Sequence, residues 1–212
     1  RRFLFGDHPY GSPASGSERS LGAISRDDVL GFYRANFGAD RLTLMFAGDV
    51  DAAALTQAVT RAFQDWRRAA APLRELVPAP RVTGRRVLLV DQPGAAQTYF
   101  WLANTGVARQ FADRAPLDVV NTLYGGRFTS ILNTELRIKS GLSYGAGSGF
   151  TRVSVPGEFA IRSFTKTDTT GKAIDLALET LGHLHKDGVQ DDMLASARAY
   201  VLGQFPLQLE TS

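Results

Sequence analysis

Between Arg26 and Phe37 the apolar residues Val29, Leu30, Phe32, Tyr33 and Phe37 recur at helical spacing, and Ser25 with Asp28 resembles a capping box with Asp in place of the usual Glu. Leu42–Ala47 is a near-continuous apolar run ahead of Gly48-Asp49 and reads as a strand buried on both faces. Asp51–Trp66 returns to the helical period with Leu55, Val59, Ala62, Phe63 and Trp66. A buried strand needs ladder partners, and no earlier strand is predicted, since residues 1–24 are rich in Gly, Ser and Pro and read as loop. Residues 1–75 are therefore expected to be the closing part of an α+β domain whose front is missing.

Composition shifts after Arg67. Ala69-Ala-Ala-Pro72, Pro78 and Pro80 mark a connecting stretch, with the linker itself at 76–84. A second domain is expected over 85–212. Arg86–Asp91 and Gln97–Ala103 read as strands, Asp113–Leu123 and Phe128–Lys139 as helices parted by Gly125-Gly126. Ser143–Val153 and Gly157–Thr165 form a predicted hairpin around Pro156-Gly157. Helices follow at Thr169–Lys186 and Asp191–Leu209, with a stop at Gly188. The last residues fall inside or just after a helical pattern, so this domain is expected to be cut at its C-terminus. The order ββααββαα sets strands in pairs, which favours an α+β fold: a largely antiparallel sheet with helices over one face.

Composition narrows the function classes. The chain has 212 residues, 44% of them apolar and 21% charged, enough for one large or two small domains with a core. Its net charge of +3 comes from 24 basic and 21 acidic residues, and the basic ones are dispersed, so nucleic acid is not an expected partner. No apolar run approaches the ~18–20 residues that cross a bilayer, so no membrane span is expected. Cysteine is absent, which removes disulfides, thiolate metal sites and thiol catalysis together. His183 and His185 stand two apart and point roughly 200° from each other on a helix, the wrong spacing for a shared metal. His8, in His8-Pro9-Tyr10-Gly11, reads as a structural loop histidine. There is no Gly-x-Ser-x-Gly elbow and no phosphate loop.

The segment Glu135–Phe150 carries the candidate chemistry. Arg137 lies about a turn before a glycine stop at Gly141, and Tyr144 opens the strand beyond it. A corner of this kind can aim a guanidinium and a phenol at one external carbonyl or carboxylate. Gly145, Gly147 and Gly149 alternate, so one face of the strand is bare and another backbone can come close. The ordinary alternatives remain open: a helix-end Arg on the last carbonyls, and a strand Tyr packed at a sheet edge.

Leu123-Tyr-Gly-Gly-Arg-Phe-Thr-Ser-Ile-Leu-Asn-Thr-Glu-Leu-Arg-Ile-Lys-Ser-Gly-Leu-Ser-Tyr-Gly-Ala-Gly-Ser148 resembles the second homologous domain of the pitrilysin/insulinase-like metallopeptidases, the inverzincins related to the mitochondrial processing peptidase and the respiratory-complex core proteins. His8–Gly11, Ile24–Val29 and Leu42–Val50 resemble the close of that family's first domain, at a fitting distance. The resemblance covers essentially the whole chain. It implies a two-domain half that faces a second half across a chamber, with zinc on His-x-x-Glu-His in one first domain. It further implies that Arg137 and Tyr144 bind substrate carbonyls near the scissile bond and give electrophilic help, with Gly145 and Gly147 beside the substrate. Peptide recognition would be largely through backbone, as when a strand joins a sheet edge. The implied partners are a peptide substrate and the other half, as a homo- or heterodimer. The sequence departs from the family in one respect: it has no His-x-x-Glu-His. The chain is thus expected to hold no cofactor itself and to be inactive alone, with zinc elsewhere in the full-length enzyme or in a partner subunit. The alternative is a non-catalytic scaffold subunit like the respiratory core proteins.

Overall fold

The computed structural model describes residues 1–207 and 209. Along the chain run α1 (Arg2–Phe5), α2 (Glu18–Gly22), α3 (Arg26–Asn36), α4 (Ala52–Phe63), β1 (Gln97–Thr105), α5 (Arg114–Asn121), α6 (Ile131–Asn133), β2 (Ala146–Phe150), β3 (Glu158–Lys166), α7 (Thr170–Asp187) and α8 (Asp191–Leu207). Both α5 and α6 continue into wider π-helical turns, at Thr122–Gly126 and Thr134–Lys139. Residues 208 and 210–212, which the sequence placed at or after the end of the last helix, lie outside the described residues. The chain divides into two compact units, Arg1–Ser12 with Val77–Ser212, and Pro13–Leu76.

In the larger unit the strands form one antiparallel sheet in the order β1-β3-β2. This is the α+β class expected from the strand pairing. Phe100 on β1 and Ile161 on β3 turn to the helices, where they meet Tyr124, Leu132, Leu136, Ala173 and Ala177 in a buried core. Ala173, Ala177 and Thr180 make a small-residue stripe that lets α7 lie close to its neighbours. The opposite sheet face is more open. There Tyr99 stacks on Phe164 with ring centroids 5.2 Å apart, and the Arg162 guanidinium lies 5.0 Å over Trp101. The first twelve residues belong to this unit. Phe5 is buried, Arg1 lies 4.0 Å from the buried Glu158, and the Tyr10 hydroxyl accepts from the Val155 N–H.

In the smaller unit, Ser25 and Asp28 cap α3 reciprocally, as their spacing predicted. The Asp51 carboxylate caps α4 through the Ala54 N–H.

Two predicted strands do not form. Leu42–Ala47 is irregular and Met45 is 91% exposed, because the run has no ladder partner among the described residues. Arg86–Asp91 is also irregular, with Val87 88% exposed. Neither stretch has a ladder partner among the described residues, and a strand without one leaves its backbone N–H and C=O groups unpaired. Residues 1–24, read as loop, hold two short helices and a turn of 3-10 helix at Pro9–Gly11.

Candidate functional site

Arg137 sits in the π-helical turn Thr134–Lys139, where the Ser140 N–H reaches back to the Glu135 carbonyl at 3.1 Å. Gly141 ends the helix with φ +62°, a conformation that favours glycine. Wide turns of this kind are rare in helices and frequent at functional sites. Beyond the stop, the chain is fastened to β3. The Thr165 hydroxyl donates to the Leu142 carbonyl at 2.7 Å, and the Ser163 hydroxyl reaches Ser143 Oγ at 2.9 Å and the Gly145 carbonyl at 3.0 Å. The Ser143 hydroxyl also accepts from the Gly145 N–H, so the backbone on both sides of Tyr144 is held by buried hydroxyls.

The corner brings together the two side chains singled out from the sequence. The Arg137 guanidinium lies 4.5 Å from the centroid of the Tyr144 ring. Phe128, not among the sequence candidates, also holds the cation over its ring, 4.8 Å from the centroid. Tyr144 is 75% exposed and Phe128 61%. Among the described residues neither Arg137 nor Tyr144 makes a side-chain hydrogen bond, and Arg137 has no ion pair. The alternative of a helix-end Arg satisfied by the last carbonyls is therefore not what is observed. A guanidinium packed against two rings still carries its N–H groups at its rim, and the tyrosine beside it is exposed to solvent. Together they can grip an external carbonyl or carboxylate.

The glycine candidates differ. A side chain at Gly145 would meet nothing within 4 Å. One at Gly147 would sit 3.3 Å from the Gly125 carbonyl, so the close backbone approach expected on the bare strand is made there by the chain itself. The outer edge of β2 is also occupied. Asn133 Oδ1 accepts from the Ala146 N–H at 3.0 Å, and Asn121 Nδ2 donates to the Ser148 carbonyl at 3.3 Å.

Two of the three histidines, His8 and His183, are engaged elsewhere. His8 Nδ1 accepts from the Tyr10 N–H at 3.1 Å and Nε2 faces the Val77 carbonyl at 2.9 Å. His183 meets Asp187 at 2.9 Å, and that hydrogen bond, aided by the charges of Asp187 and Glu179, holds its pKa above the ordinary histidine value. The groove between α6 and α7, lined by Ile131, Glu135, Leu176, Thr180, His183 and Leu184 among others, does not include Arg137 or Tyr144.

The family model described as "Peptidase M16 inactive domain" matches residues 23–201. An uncharacterised zinc protease of Streptomyces coelicolor is 28% identical over 98% of this chain and 46% of its own length. One of Mycobacterium tuberculosis is 27% identical over 99% of this chain and 48% of its own. The chain thus spans about half the length of these curated relatives. Among solved structures, the peptidase M16 inactive domain from Pseudomonas fluorescens superposes with a TM-score of 0.84 at 24% identity, covering 95% of this chain and 48% of that one. A chain of complex III2 from Candida albicans superposes at 0.77 and 18% identity, over 97% of this chain and 50% of that one. At these identities the likeness is one of fold. The relatives' names imply zinc, but the side chains present do not fit it: no group of three or more His, Asp or Glu among the described residues could hold a metal ion.

Proposed function

The chain belongs to the peptidase M16 inactive-domain family, and from that premise we propose that it is the non-catalytic, substrate-contacting part of a zinc-dependent metalloendopeptidase acting on peptides. Arg137 and Tyr144 donate hydrogen bonds to backbone carbonyls of the bound peptide beside the scissile bond. As charge develops on the attacked carbonyl oxygen, donors fixed in advance stabilise it more than they stabilise the ground state. The observation that carries the reading is the stacked, solvent-facing pair itself: a cation 4.5 Å over an exposed tyrosine ring, with neither polar group used internally among the described residues. Gly145 leaves open space beside the pair for substrate backbone. Strand addition to β2 gains no support from the structure, because Asn133 and Asn121 already take the Ala146 N–H and the Ser148 carbonyl. Zinc belongs, in this reading, to the rest of the full-length protein or to a partner subunit, joined as a homo- or heterodimer. The contribution of this chain is orientation and electrophilic assistance.

Arg137→Ala and Tyr144→Phe test the proposal. Each is expected to lower kcat/KM of the assembled enzyme by roughly 10-fold or more, since a donor lost at a developing charge costs ~2–4 kcal/mol. Wild-type rates in both would refute the roles. The competing reading, a catalytically silent assembly subunit, draws on the fold shared with the complex III chain. A His-x-x-Glu-His elsewhere in the full-length protein favours the peptidase; its absence there and in every partner favours the scaffold.

A further inference from the structure

We propose that Phe128 is a positioning residue for the site: its ring and that of Tyr144 clamp the Arg137 guanidinium and confine it to an edge-on approach to substrate. The inference rests on the reading of Arg137 as a substrate donor and adds a residue to it. The centroid distances of 4.8 Å to Phe128 and 4.5 Å to Tyr144 put the cation against two rings at once. An arginine at a half-exposed helix end otherwise samples many rotamers, and ordering a long side chain on binding costs free energy. A clamp between ring faces removes much of that cost before substrate arrives. It covers the faces of the guanidinium and leaves its rim, where the N–H groups point, for in-plane acceptors.

The position of Phe128 is itself determined. Asn133 Nδ2 donates to the Phe128 carbonyl at 2.7 Å while its Oδ1 takes the Ala146 N–H at 3.0 Å. One buried amide thereby ties the segment bearing the first ring to the strand that follows the second, and Asn133 lies four residues before Arg137. Since Phe128 is 61% exposed, its ring adds little to the core, and its contact with a cation is the better account of an aromatic at this place.

The test compares four variants of the assembled full-length protein: Phe128→Leu, Phe128→Tyr, Arg137→Gln and the double Phe128→Leu/Arg137→Gln. With zinc chelated so that nothing is cleaved, affinity for a fluorescein-labelled, unstructured peptide is read by anisotropy; with zinc restored, kcat and KM are measured separately. Phe128→Leu keeps apolar bulk and loses the π face, and is expected to weaken binding about 3- to 10-fold. Phe128→Tyr restores the face and should stay within about twofold of wild type. The double variant should lose no more than Arg137→Gln alone, because the ring acts through the cation. Wild-type affinity in Phe128→Leu, with Arg137→Gln impaired, overturns the clamp and spares the proposed function. Equal losses in Phe128→Leu and Phe128→Tyr, or additive losses in the double variant, also overturn it. Wild-type affinity in Arg137→Gln removes the underlying reading, and the clamp with it.

Discussion

At Asn133 both ends of one side-chain amide are engaged, 3% exposed, on backbone groups of two different segments. Truncating it leaves a carbonyl and an N–H without partners in a buried place. Asn133→Ala should therefore destabilise the fold by about 1–3 kcal/mol, read as a lower midpoint in urea, and should weaken peptide binding as the two rings drift apart. Unchanged stability would mean that water replaces the amide at no cost. That Arg137 and Tyr144 meet was legible from sequence because a glycine stop between them fixes a corner, whereas a role for them came only from the family resemblance. Asn133, Ser163 and Thr165 were not, because their partners stand 5 to 23 positions away and are chosen by tertiary contact. His183 offers a second test at this scale. Its folded pKa is raised, chiefly by the Asp187 hydrogen bond, so the pairing favours the folded state below the unfolded histidine pKa and fades as pH climbs through the folded one. An NMR titration should place His183 above the usual ~6.5, and Asp187→Asn should lower it. A titration at the usual value in both proteins would remove the pairing in solution.

The contact between the π-helical turn after α5 and the glycine strand β2 depends on backbone nearness. A methyl built on Gly125 would lie 2.3 Å from Ser148 Oγ and 2.7 Å from the Ser148 backbone nitrogen. The hydroxyl can rotate aside; the backbone cannot. Gly125→Ala is expected to cost about 1–3 kcal/mol, with a clearly lower Tm, as β2 is pushed from its place. Gly145→Ala is the control, since open space surrounds it and φ is not left-handed there. It should leave Tm unchanged and yet reduce peptide affinity if substrate passes over that residue. Helices were the elements best read from sequence: the capping pair Ser25/Asp28 and the stops at Gly141 and Gly188 put their signals within a turn of the boundary. Strands were read less well. β1 and β3 were found, the latter beside the turn at Pro156-Gly157, whereas Leu42–Ala47 and the Val87–Val90 stretch of Arg86–Asp91 are short apolar runs whose ladder partners the sequence alone does not name.

The two compact units differ in what they bury. The larger holds the whole core around Phe100, Tyr124, Leu132, Leu136 and Ile161. In Pro13–Leu76, among the described residues, only Gly38 is buried, while Val29, Phe32, Tyr33 and Phe37 of the α3 region stand open to solvent. A stretch of this size is marginal even with a good core, and its helices gain little from burial here. Local capping by Ser25, Asp28 and Asp51 gives about 1 kcal/mol per helix end, which cannot replace a core. Native-state hydrogen exchange should therefore separate the units. Amides of β1, β3 and α7 should exchange through global unfolding. Those of α3 and α4 should exchange through smaller openings, at least roughly 100-fold faster, a gap near 3 kcal/mol. The first twelve residues, tied by Phe5 and by Arg1 to Glu158, should follow the slow group despite their distance along the chain. Were α3 and α4 as well protected as β3, the apolar face of the smaller unit would have to be covered in solution, and its sequence pattern would then be reporting a real interface.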